Sequence, residues 1–271
     1  MSTQELTATL SYLVPGVERP IYIASQGGAD AAMDIGAEFE ERQFTIVDGR
    51  HAVPAPTLDG QGFCLVSHIA PVADFYNLEA EQAAYEASIK KLVLEVTCAR
   101  EALVFDHTLR SDSRDVRGAR TTREPAAVIH NDYTDASAEK RLRDLLPPDE
   151  AERALVRRYA IVNVWRSIAG PAFNSPLALC DAASLSAGDL VASERRAAER
   201  IGELELVTFN PAHRWYYYPG VTRDEAVLIK TFDSATDGRA RRAVHTAFAN
   251  PAAPAEAPPR ESIESRLLVF F

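Results

Sequence analysis

The chain has 271 residues, an ordinary apolar share of 46% and a formal net charge of −10. That length is enough to bury a substantial core in one large or two small domains. The acidic balance excludes a general nucleic-acid binder, which needs a basic excess to neutralise phosphates.

No run of about 18 apolar residues is present to span a bilayer. Met1 to Glu5 lacks the basic-then-apolar pattern of a signal peptide, so none is expected. Three widely spaced cysteines, Cys64, Cys98 and Cys180, read as reduced thiols of a cytoplasmic protein.

Residues 1 to 75 are short apolar runs broken by turn signals such as Gly27-Gly28 and Asp48-Gly49, and Gln61 to His68 is predicted as a buried strand. Tyr85, Ile89, Leu92, Val93 and Val96 recur at helical spacing, so residues 77 to 97 are predicted helical. Glu101 to Asp106 returns to strand. The polar, arginine-rich stretch that follows, through Glu124, is expected to be a loop and a candidate lid.

The apolar run Ala126 to Ile129 then leads into His130-Asn131-Asp132. Residues i and i+2 of a strand share a face, so His130 and Asp132 can reach one ion. With the distant His245 they form a two-histidine, one-carboxylate set. That set suits mononuclear non-haem Fe(II), since it holds one face of an octahedron and leaves positions open for a co-substrate and O₂.

Two helices are predicted near 137 to 146 and 148 to 157, parted by Pro147-Pro148. Strands follow at Tyr159 to Ile168, Ile201 to Phe209, His213 to Tyr218 and Glu225 to Phe232. A Pro- and Ala-rich loop covers 250 to 260, and Ser262 to Phe271 is a final strand. The arginine clusters Arg195-Arg196 and Arg239 to Arg242 are expected on a solvated face. The pattern is mostly β with flanking helices, a double-stranded β-helix or cupin-like jelly roll. We expect one domain, 1–271, with N-terminal strands and a supporting helix over 1–100 and the jelly-roll core with the metal site over 101–271.

An oxo-acid co-substrate needs a cation for its far carboxylate. Arg266 shares a face of the last strand with Leu268 and Phe270, and could clamp it beside an apolar pocket wall. Arg260, in an Arg-x-Ser pattern with Ser262, is the competitor, and the residues leave the choice open. Lys230, in an apolar strand, either meets a carboxylate or snorkels outward. Arg110, Asn163, Arg166, Tyr216 and Tyr218 are candidate substrate contacts that suit a polar, carboxylate-bearing small molecule.

The runs Phe105-Asp106-His107-Thr108-Leu109-Arg110, His130 to Thr134, Val162-Asn163-Val164-Trp165-Arg166, Leu228 to Ser234, His245-Thr246-Ala247-Phe248 and Arg260 to Arg266 occur in order from about residue 60 to the end. Together they resemble the CmcJ/AsaB-like hydroxylase/desaturase family of non-haem Fe(II)/2-oxoglutarate-dependent oxygenases. The resemblance implies a jelly roll with His130, Asp132 and His245 as iron ligands. It also implies 2-oxoglutarate and O₂ as co-substrates, and hydroxylation, desaturation or oxidative cyclisation of a small molecule in secondary metabolism. Two other readings stay open: a metal-dependent jelly roll that does not use the oxo-acid, and an idle binding module or partner subunit.

Overall fold

A computed structural model describes residues 5–198 and 200–271. The chain begins with four strands, β1 (Glu5–Leu13), β2 (Ile21–Ile23), β3 (Asp34–Ile35) and β4 (Phe39–Asp48). Next come β5 (Phe63–Ser67), helix α1 (Gln82–Thr97), β6 (Glu101–Ser111) and helix α2 (Arg114–Arg120). The two-residue β7 (His130–Asn131) precedes helices α3 (Asp135–Leu145) and α4 (Pro148–Leu155). The remainder is β8 (Tyr159–Ser167), β9 (Leu177–Cys180), β10 (Leu190–Ala197), β11 (Arg200–Val207), β12 (Trp215–Tyr217), β13 (Glu225–Asp233), β14 (His245–Ala247) and β15 (Glu261–Phe270).

Two sheets form the jelly roll. The larger runs β1-β4-β12-β9-β14-β7-β11-β10-β2-β3 and the smaller β5-β13-β8-β15-β6. Their facing sides meet through Phe63, Trp165, Val227 and Ile229 from the smaller sheet and Leu177, Leu179 and Tyr218 from the side of the larger. The first hundred residues supply edges to both sheets: β1, β2, β3 and β4 lie at the two ends of the larger, and β5 borders the smaller.

The smaller sheet is buried on both faces, which explains why β8 has no exposed residue. Val162 and Val164 pack outward under Tyr85, Ile89 and Val93 of α1, while Trp165 belongs to the inter-sheet cluster. Two helices are anchored locally. In α3 the Thr134 side chain accepts from the Ser137 backbone N–H, and Ser137 reciprocates; α4 starts on Pro148, whose fixed φ suits a first turn.

Two expectations fail. The stretch after Asp106 is no loop: β6 continues to Ser111, paired along its length with β15, and α2 follows. Asp106, Thr108 and Arg110 alternate onto the face of Arg266, Glu264 and Ser262, so their polarity reflects a charged interior site rather than solvent. Arg195 is also not on a solvated face. Alternation along β10 turns Arg195 inward, beside Tyr22 of β2, while Arg196 stays outside in an ion pair with Glu194. No helix among the described residues is long and apolar enough to cross a membrane.

Candidate metal centre

β7 is short, yet its place between β14 and β11 determines the centre. His130 lies directly opposite His245 in the β7–β14 pair, so both imidazoles project from one face, with ring centroids 4.5 Å apart. Asp132 follows two residues later on the same side. Between them Asn131 turns to the other face, where its amide donates to the Tyr133 carbonyl and to Glu205. The ligand atoms of His130, Asp132 and His245 lie within 4.8 Å of one another.

Each part of this triad is oriented by a neighbour. Nδ1–H of His130 donates to the Val128 carbonyl at 2.8 Å, and Nδ1–H of His245 to the Ala243 carbonyl at 3.0 Å. A carbonyl can only accept, so both Nε2 atoms are left with free lone pairs for a metal. The Oδ2 atom of Asp132 accepts from the Asn163 amide at 2.7 Å and from Arg266 Nε at 3.1 Å, which leaves Oδ1 for an ion.

The electrostatics agree with this geometry. Burial, then the charge of His245, pushes His130 down to about 3, so the ring is neutral. Burial raises Asp132, but Arg266, the two imidazoles and the Asn163 amide offset this and hold the carboxylate well below its usual range. A divalent ion needs neutral imidazoles and an ionised carboxylate, and the three residues fit one.

Arg266 of the last strand and Arg260 just before it separate cleanly. Arg266 is enclosed by carboxylates: it donates to Asp132, to Asp106 at 2.6 Å and to Glu264, and also to the Thr108 hydroxyl. Its fork is occupied, so of the two arginines left open for the oxo-acid carboxylate it is the less available. Arg260 is fully enclosed; its backbone N–H donates to Asp112 Oδ1 at 2.8 Å, but its side chain forms no ion pair with a carboxylate among the described residues. Its side chain donates to Ser262 Oγ at 3.2 Å and to the Ser175 carbonyl at 2.6 Å, and lies over the Trp165 ring. Burial, then the charge of Arg110, lowers it to about 9. Beneath it the Trp165 indole N–H is buried with no acceptor. A buried guanidinium in no ion pair above a buried N–H with no acceptor fits an incoming carboxylate.

Of the expected substrate contacts, Arg110 lines the chamber beside His130 and Asp132, donating to the Glu124 carbonyl at 2.7 Å. Asn163 is at the centre but is committed to Asp132. Arg166 points to the opposite face of β8, where it donates to the His68 carbonyl and lies over Tyr85 of α1. Lys230 is held by Asp59 and Asp233, away from the triad. Tyr216 and Tyr218 pack against Phe63 at the apolar end of the inter-sheet space. Leu268 joins Tyr133, Leu142 and Tyr159 beneath α3 and α4 with Phe270 against it, so neither lines the chamber.

Residues that sequence reasoning missed are Tyr22, Arg123 and Arg195, which line the same chamber, and Asp106, Thr108 and Glu264, which fix Arg266. For Arg195 a signal existed: Val191, Ser193 and Arg195 alternate in a strand-like run. Glu264 was legible too, two residues before Arg266 on one strand; for the rest, only contacts between distant segments reveal the position.

A sequence-family model described as an oxidoreductase/YMDC permease-like domain matches residues 10–270. The chain is 32% identical over 255 residues to the hydroxylase/desaturase CTB9 of Cercospora beticola, covering 86% of this chain and 78% of that one. It is 33% identical over 198 residues to the Fe(II)/2-oxoglutarate-dependent dioxygenase nvfI of Aspergillus novofumigatus, covering 70% and 68%. A solved structure of the iron and alpha-ketoglutarate-dependent endoperoxidase NvfI matches with a TM-score of 0.81 at 27% identity, over 98% of both chains.

Proposed function

Because the chain belongs to the family of Fe(II)/2-oxoglutarate-dependent hydroxylase/desaturases, we propose that it oxidises an unactivated C–H bond of a small molecule in secondary metabolism, with His130, Asp132 and His245 holding the iron. The observation that carries the site assignment is the convergence of three ligand atoms with both Nδ1 atoms tied to backbone carbonyls. The relatives' names support Fe(II), 2-oxoglutarate and O₂ as the reactants. Bound together at this centre, they supply the oxidising power for C–H cleavage.

The protein's own part is positioning. Asn163 and Arg266 hold Oδ2 of Asp132, so the carboxylate offers one oxygen and the centre stays open. Arg260, with Ser262, binds the distal carboxylate of the oxo-acid; this assignment rests on its buried charge and on the orphaned indole N–H under it. Arg110, on the chamber wall, contacts the substrate. We assign the whole chain to one oxygenase domain, because its first strands are edges of both sheets. A reducing, cytoplasmic setting rests on three unpaired cysteines.

The test is anaerobic addition of Fe(II), then 2-oxoglutarate, to the purified protein. A weak visible charge-transfer band that needs both additions and is missing in Asp132→Ala supports the assignment. Iron binding without a band on adding the oxo-acid would rule out 2-oxoglutarate as the co-substrate.

A further inference from the structure

Two chambers flank Asp132 at the mouth of the space between the sheets. The inner is lined by His130, Arg110, Arg123 and Arg195, the outer by Arg141 and Arg200, and both include Arg195 and Arg266. Arg266 is neutralised by Asp132, Asp106 and Glu264. Arg195 and Arg123 are not: neither side chain forms a hydrogen bond or ion pair with any described residue. Burial lowers both, and a neighbouring arginine, Arg266 for Arg195 and Arg110 for Arg123, adds to the effect.

This arrangement is unusual for the chain itself. It carries ten more acidic than basic groups, and the next residue on the same strand, Arg196, does pair with Glu194. Carboxylates line both chambers, yet none of them forms an ion pair with Arg195 or Arg123. Half-buried guanidinium groups without a counter-charge are costly unless a ligand supplies one. The carboxylates of the outer chamber are already engaged, Asp106 by Arg266, Asp144 by Lys140 and Glu203 by Arg19. In the inner chamber, apart from Asp132, only Glu124 is acidic, and its two oxygens are buried with no partner. One unpaired carboxylate beside several cations suits a single negative charge better than a polyanion.

We propose that the substrate of this oxygenase carries one acidic group, a carboxylate or an anion of similar size, anchored by Arg195 with Arg123 beside it. The proposal rests on the oxygenase reading above and specifies its substrate class. Arg195 is suited to the role because it borders both chambers and lies on the same sheet face as His130.

The experiment uses calorimetry on protein loaded with Fe(II) and 2-oxoglutarate under anaerobic conditions. The probes are a panel of small monocarboxylic acids, each matched with its primary amide. We expect at least one acid to bind about tenfold more tightly than its amide, and Arg195→Met to lose about tenfold or more of that affinity. Arg195→Lys should retain most of it, which separates lost charge from misfolding. The visible band of the iron–oxo-acid complex should survive in both variants. If no acid exceeds its amide, or Arg195→Met binds as the wild type does, the proposal is overturned. It is also overturned if Arg195→Met loses the band, because Arg195 then serves the co-substrate. A wild-type protein without the band fails the oxo-acid reading alone, and the same comparison on protein loaded with iron only still decides the anion question.

Discussion

The space between the two sheets has unlike ends. One is apolar and closed by Phe63, Leu179, Tyr218 and Ile229, and the other is a charged mouth containing Asp132 and Arg195. Each holds one arginine from the neighbourhood of β15. Arg266, at the mouth, is surrounded by three carboxylates, so it orients Asp132 and has little left to offer a ligand. Arg260, over Trp165 at the apolar end, has no such partner. The same side chain therefore serves two purposes, and what separates them is whether the fold supplies the counter-charge.

The largest expected effect tests the centre both ends depend on. Asp132→Ala should weaken Fe(II) binding by more than about a hundredfold, beyond what losing an outer partner costs, as read by metal titration. Next, Arg260→Leu should weaken 2-oxoglutarate binding by about a hundredfold, the scale of a charge-assisted pair, while iron affinity stays near wild type. Arg266→Met should do the reverse: iron affinity falls about tenfold or more through the misplaced Asp132, and 2-oxoglutarate binding at saturating iron is little changed. Equal loss of both ligands in both variants would end the distinction between the arginines.

A pH series sharpens the view of the mouth. His130 titrates at about 3 when folded, against an ordinary 6.5. Between these values the unfolded chain binds the extra proton, so stability is fully present above 6.5 and is lost as pH falls toward 3. The urea midpoint of metal-free protein should follow that slope, and His130→Gln should flatten it. The smallest effect belongs to the apolar end. Trp165→Phe keeps the ring under Arg260 but removes the orphaned N–H, and should weaken 2-oxoglutarate about fivefold, one modest hydrogen bond, with no loss of thermal stability.

Much of this molecule is legible in its sequence. Helical spacing located α1 because its buried residues face a single layer, the back of the smaller sheet. Alternation in Tyr159 to Ile168 already separated Asn163 and Trp165 from Val162, Val164 and Arg166, and the sheet keeps that division. The face of Arg166 is legible in the sequence, but the side of the sheet that carries the site is set by where α1 docks, and Arg166 lies on the α1 side. The segment from His107 to Ser111 reads as a loop from sequence because polar strand residues such as Thr108 and Arg110 look solvated until the charged interior they face is known.

What the sequence determined by itself is that His130 and Asp132 share a face, since strand alternation places them together whatever surrounds them, and the mostly β character of the chain; His245 joins them only through the pairing of β14 with β7. Only the tertiary structure decided which arginine is neutralised, which is available and which lies unpaired at the mouth. The reason is physical: periodicity is a local property of the backbone, whereas the state of a charge depends on burial and on partners such as Asp106 and Asp132, brought to Arg266 from a separate strand and a loop.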